Sequence, residues 1–255
     1  MIHVHVEHVM GMAVSIDIRD ARARAEIDPA LADVVAWLHH VDATFSTYII
    51  DSPISRYGLG ETSVAELSDE VNGVLALCTE LYEDTGGVFD AFAVPAPNGS
   101  SFDPSGVVKG WSIERAATIL EGHGCADFCI NAGGDVVVRG RPEPDREWLI
   151  GIRHPGEALL TAAVVGGSGR LAIATSGTYE RGAHIIDPDT GEPTADVASV
   201  SIVGPDLTYA DAYATTVFVL GVPGLEWLLA RHPDYMGFVI THEETTVSTP
   251  EFPRR

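Results

Sequence analysis

The stretch "DFCINAGGDVVVRG", residues 127–140, sets two short runs of β-forming residues on either side of a di-glycine. "DFCI" and "DVVVRG" are too short for helices and rich in β-branched or aromatic residues, so both read as strands. Gly133 and Gly134 suit a hairpin turn, or a place where a bare backbone approaches a ligand closely. Downstream, "WLIGIRHP", "ALLTAAVVG", "RLAIATS", "AHIID" and "VASVSIVG" repeat the pattern between Gly, Pro and Asp turns. Upstream, residues 2–7 and 9–18 alternate apolar and polar, which predicts two more strands. Strands therefore cluster instead of alternating with helices, and the fold class is α+β rather than a doubly wound parallel sheet.

Helices fill the rest. "DPALADVVAWLHHVDATFS" carries the apolar stripe Leu31, Val34, Val35, Leu38, Val41 and Phe45, with Asp28 as expected cap and Pro29 at the first helical position. Residues 46–60 read as loop. A second helix is expected from Ser68 to Gly86 and a third over "VVKGWSIERAATILEGHG". A fourth covers "YADAYATTVFVLG" with Thr208 as cap, and a shorter one "GLEWLLARH". "YMGFVIT" is a strand, and "TTVSTPEFPRR" reads as a loose tail.

The chain has 255 residues, 45% hydrophobic and 20% charged, with a mean hydropathy of +0.13. That suffices for one large domain or two intimate halves. Fifteen basic against 37 acidic residues give a formal charge of −22, which argues against nucleic-acid and membrane-surface roles, because both need clustered Lys and Arg. An anionic ligand would need a locally positive site: a metal, a helix N-terminus or a single Lys. Cys78, Cys125 and Cys129 lack zinc-site spacing and read as reduced, mostly buried thiols. No stretch reaches transmembrane length and no signal-peptide pattern opens the chain, so the expected location is cytoplasmic.

Asp211 and Thr215 lie one turn apart on an otherwise apolar helix, so their oxygens share a face. A first-turn acid is explained by the helix dipole, but an acid–hydroxyl pair is not. Such hard oxygens suit Mg²⁺. Lys109 near the start of its helix opposes the dipole and is expected to face an anion or an acid. His184 begins a strand that runs into "DPDTG", and its pKa range suits a general base. Met10, Tyr48 and Phe89 sit in or beside loop-like segments where they can meet flat rings. Walker, Rossmann and zincin motifs are absent, "ATSGTYERG" does not match a nucleophile elbow at Ser176, and His3, His5 and His8 do not share one face. Together these features point to Mg²⁺-dependent handling of a nucleotide-like pyrophosphate.

The order of "MGMAVSI", "FSTYIIDSPISR", "GGVFD", "FDPSGVVKGWSIERAA", "NAGGD", "ATSGTYERGAHIIDPDTGEP" and "ADAYATTVFVLG" over residues 10–221 resembles the ApbE family of FAD:protein FMN transferases. The resemblance implies a two-layer, T-fold-related α+β sandwich with mixed or antiparallel sheets. Residues 1–245 would form the catalytic domain, as one unit or as two halves around an FAD cleft. It implies attack by a threonine hydroxyl of an acceptor protein on the FMN phosphorus, with AMP expelled. By motif, Met10, Tyr48, Val88, Phe89, Asp90, Asp103, Lys109 and Ile185 would contact FAD beside Gly133 and Gly134. The Gly106 carbonyl, Asp211 and Thr215 would bind Mg²⁺, and His184 would be the base. Three features depart from the family pattern: Ala214 replaces a second acid three residues after Asp211, residues 91–102 are shorter than usual, and no lipoprotein signal is seen, so an intracellular acceptor is expected. FAD pyrophosphatase activity and non-catalytic FAD binding remain the alternatives.

Overall fold

Burial along each strand separates those covered on one face from those covered on both. The computed structural model describes residues 2–92, 94–157, 159–177, 194 and 197–255. Strands β1 (His3–Val9) and β2 (Met12–Ile18) alternate buried and exposed positions, whereas β4 (Asp135–Arg139) and β8 (Val197–Gly204) are buried throughout. These belong to an eight-stranded sheet completed by β3 (Phe128–Ala132), β7 (Leu171–Gly177), β9 (Met236–Thr241) and β10 (Thr246–Ser248). The strand order is β1-β2-β3-β4-β7-β8-β9-β10, with every pairing antiparallel. A two-stranded sheet, β5 (Trp148–Arg153) and β6 (Thr161–Gly167), lies apart in hydrogen bonding. Its Ile152, Ala163 and Val165 pack with Ile173, Val203, Phe238 and Ile240, covering the second face of β7, β8 and β9. That second cover explains why the central strands read as continuous apolar runs.

Helices cover the other face. They are α1 (Arg24–Phe45), α2 (Pro53–Gly58), α3 (Asp69–Asp84), α4 (Ser105–Gly122), α5 (Leu207–Leu220) and α6 (Gly224–Arg231). The main core joins Ile16, Ile18, Phe128 and Ile130 of the sheet to Leu38, Ile113, Leu120 and Phe218 of the helices, all fully enclosed. Each such side chain contributes roughly 1.5–3 kcal/mol by leaving water.

The α4–α5 crossing is unusually close. A Cβ added at Gly110 would stand 2.6 Å from the Leu207 carbonyl oxygen and 2.9 Å from the Thr208 Cα. Glu114, one turn further along α4, accepts from the Leu207 N–H at 2.8 Å and pairs with Arg139 at 2.7 Å. Burial pushes the Glu114 carboxyl up, against the opposing pull of Arg139.

Four local expectations are corrected. α1 starts at Arg24, not at an Asp28 cap: the Glu26 carboxylate accepts from the Ala23 N–H at 2.8 Å, and Asp28 pairs instead with Arg24. The helix then runs through Pro29 at the loss of one backbone bond. The 46–60 segment contains α2, because Ser52 caps it by accepting from Ser55 N–H at 3.1 Å and Pro53 suits its first position. Asp206 rather than Thr208 caps α5, accepting from Thr208 N–H at 2.8 Å. The C-terminal residues are not loose: β10 pairs with β9, the Arg255 N–H donates to the Val164 carbonyl, and Phe252 stacks on Phe238 at 5.3 Å. The strand expected at "AHIID" lies outside the described residues.

Candidate active site

The close α4–α5 crossing sets Lys109, the neighbour of Gly110, against the first turns of α5. The Lys109 ammonium lies 2.5 Å from Asp135 Oδ2 and 3.5 Å from Asp211 Oδ1. Both carboxylates are buried, with side chains 2% and 5% exposed, while Lys109 is 26% exposed. The lysine that opposes its helix dipole therefore faces acids, as its position requires. One turn beyond Asp211, the half-buried Thr215 brings its hydroxyl within 3.3 Å of Ser176 Oγ on β7. Asp135 Oδ1 accepts from the Thr175 N–H at 3.0 Å, tying β4 to the same strand. Among the described residues, two carboxylates, two hydroxyls and one ammonium thus converge where β4, β7, α4 and α5 meet.

The di-glycine forms the β3–β4 hairpin. Gly133 and Gly134 have φ of +59° and +100°, a region open mainly to glycine, and the Gly134 N–H donates to Asn131 Oδ1 at 3.0 Å. Asp135 follows directly as the first residue of β4. Gly106 lies one turn before Lys109 on α4, and the buried Phe89 ring lies over it: a Cβ there would come within 3.3 Å of Phe89 Cε2. Val88 is half-buried. Asp90 Oδ1 accepts from the Phe92 N–H at 2.7 Å. Asp103 Oδ1 accepts from the Ser105 N–H at 2.9 Å and also from its hydroxyl, closing a local turn across Pro104, the residue that precedes α4.

Met10 occupies the β1–β2 turn at φ +53°, its sulfur 4.0 Å from Ser112 Oγ, three residues along α4 from Lys109. Tyr48 stands 83% exposed. Residues 94–102 pack against α2: Tyr57 meets Phe102 edge-on and Asn98 donates to Ser55 Oγ at 3.0 Å, while the Phe92 and Phe102 ring centroids are 4.9 Å apart. His184 and Ile185 lie outside the described residues. Sequence reasoning missed Asp135 as a participant and set Ser176 aside. An acid after Gly-Gly reads as an ordinary turn residue, and only its near-total burial marks it out.

The donor set fits a hard divalent cation. Among the described residues, Asp135 and Asp211 outweigh one ammonium by a unit negative charge, and Thr215 and Ser176 add hydroxyl oxygens. Among the described residues, no group of three His, Cys, Asp or Glu side chains forms a metal site by itself, so backbone or substrate oxygens would have to complete a shell. The three cysteines are free thiols. Cys78 and Cys129 are pushed up to about 12 by burial, and neither joins this cluster. No helix among the described residues is long and apolar enough to cross a membrane.

An antiparallel α+β sandwich with its acidic cluster beneath a tight helix crossing defines the structural class. Within it, the model of the ApbE family matches residues 10–98 and 93–239, and the chain belongs to that family. FAD:protein FMN transferase from Rhodobacter capsulatus is 29% identical over 248 residues, covering 93% of this chain but 43% of that protein. The Haemophilus influenzae protein of the same name is 25% identical, covering 79% of this chain and 75% of its own length. The Treponema pallidum one is 27% identical, covering 89% and 81%. Among solved structures, the ApbE protein of Thermotoga maritima superposes with a TM-score of 0.85 at 20% identity over the whole of both chains. The flavin transferase ApbE of Vibrio cholerae gives 0.83 at 21%, covering 98% of this chain and 96% of its own. The matched region spans less than half the length of most of the curated relatives it matches, and three-quarters or more of the Haemophilus influenzae and Treponema pallidum proteins.

Proposed function

We propose that this chain is an FAD:protein FMN transferase, using Mg²⁺ to move FMN from FAD onto a threonine hydroxyl of an acceptor protein with release of AMP. The observation that carries the reading is the Lys109–Asp135–Asp211 cluster beside Thr215, in a chain whose relatives bear that name. Asp211 and Thr215, with the Gly106 carbonyl, would hold the cation, which supplies charge neutralisation at the pyrophosphate.

Lys109 would place its ammonium beside the phosphates and offset charge that builds on the departing AMP. His184 would take the proton from the acceptor hydroxyl as its oxygen bonds to the FMN phosphorus and the bond to AMP breaks. Such base catalysis typically contributes about 10²–10⁴-fold. Met10, Tyr48, Val88, Phe89, Asp90, Asp103 and Ile185 would line the flavin and adenine path, and Gly133 and Gly134 would border it.

Ala214 is fully buried and adds no charge, so the cation would rest on fewer acids than in many family members. Incubating the protein with FAD, Mg²⁺ and a candidate acceptor tests the reading. AMP with flavin-labelled acceptor supports it. AMP with free FMN makes the chain an FAD pyrophosphatase, and FAD retained without AMP makes it a binding protein.

A further inference from the structure

We propose that Asp135 is a positioning residue that keeps Lys109 from neutralising Asp211, leaving the Asp211 carboxylate to the divalent cation; the inference rests on the function proposed above. The lysine is shared unequally, at 2.5 Å from Asp135 and 3.5 Å from Asp211. Asp135 is held from two sides. Its main chain follows Gly133 and Gly134 in their left-handed conformations, and its Oδ1 accepts from the Thr175 N–H at 3.0 Å. It is also 1% exposed, so solvent does not compete for its oxygens.

Lys109 sits on a flexible four-carbon stem and follows whichever carboxylate attracts it more strongly. Of the two described carboxylates beside it, Asp211 is the one left without the Asp135 charge, and an ammonium resting on it competes with a cation for the same oxygens.

A double-mutant cycle on the full chain tests this, with Mg²⁺ binding followed by titration calorimetry in the absence of FAD, so that turnover plays no part. Asp135→Asn retains the acceptor for Thr175 and is expected to raise the Mg²⁺ dissociation constant by about tenfold or more. In a Lys109→Met background the same substitution is expected to change it by less than about twofold, because the competitor is gone. Lys109→Met alone is expected to bind Mg²⁺ at least as tightly as the wild type, which keeps the test informative if Asp135→Asn folds poorly. Equal losses in both backgrounds, no loss in either, or weaker binding by Lys109→Met would overturn the inference while leaving the transferase reading intact. A wild-type protein that binds no Mg²⁺ without FAD would overturn the inference alone, whereas AMP release from FAD that does not depend on Mg²⁺ would overturn the transferase reading as well.

Discussion

Replacing Gly110 with alanine probes the contact on which the cluster depends. The new Cβ would sit 2.6 Å from the Leu207 carbonyl oxygen, so α4 and α5 must separate by roughly 0.8 Å to restore an ordinary 3.4 Å contact. Overpacking of this kind costs about 1–3 kcal/mol, and alanine's better helix propensity returns up to ~1 kcal/mol. The net effect on stability is therefore a loss of about 0–3 kcal/mol.

The effect on the site is larger. Lys109 is the adjacent residue, Asp211 lies one turn beyond Leu207, and displacing reacting groups by about 1 Å can cost about 10²-fold in rate. Gly73, in the middle of α3, has open space where its Cβ would stand and serves as control; its alanine variant should gain about 0.5–1 kcal/mol. Calorimetric melting and AMP release from FAD would be measured on both variants. If Gly110→Ala behaves like Gly73→Ala, with raised stability and unchanged AMP release, the crossing does not position the cluster.

Three further outcomes follow from the packing. Arg139→Met removes the principal partner of the buried Glu114, whose carboxyl also holds the start of α5, and should cost about 3–5 kcal/mol in urea unfolding. His232 is lowered from its usual range mainly by burial against the Tyr213 ring, with Asp84 pulling the other way. A depressed folded value gives stability that is present above the unfolded pKa near 6.5 and lost as pH falls through the folded one. The melting temperature should therefore fall on acidification below about 6.5, and less so in His232→Gln. Phe252→Ala should lower the denaturant midpoint by the equivalent of about 3 kcal/mol, because the ring is buried on Phe238. No change there would mean that the C-terminal residues are not held in solution.

The clustering of short strands was legible before the fold was known, since period-two runs between turn residues survive in any context. The double cover of β8, and of β4, whose Val136 and Val138 pack with Trp148 of β5, was not, because a run such as "DVVVR" looks alike whether one or two layers lie over it. The acid–hydroxyl pair on α5 and the need of Lys109 for a counter-charge were readable from helical spacing. The identity of that counter-charge depended on two long-range contacts, the Gly110 crossing and the Asp135–Thr175 bond, which leave no local pattern. The missed helix starts share one cause: Glu26 and Asp206 cap from positions next to better-looking candidates, Asp28 and Thr208. The C-terminal segment was misjudged because three paired residues and one buried ring suffice to anchor it.

The central claim is that one turn of α5 holds a divalent cation at the pyrophosphate of FAD. Crystals grown with FAD and Mn²⁺ in place of Mg²⁺ test it most directly, through the anomalous signal of the metal. The account predicts a single strong peak bonded to Asp211 and Thr215 and to a phosphate oxygen, with Lys109 beside the same phosphates. Metal bound elsewhere, or FAD bound with Asp211 and Thr215 touching no ion, would contradict it.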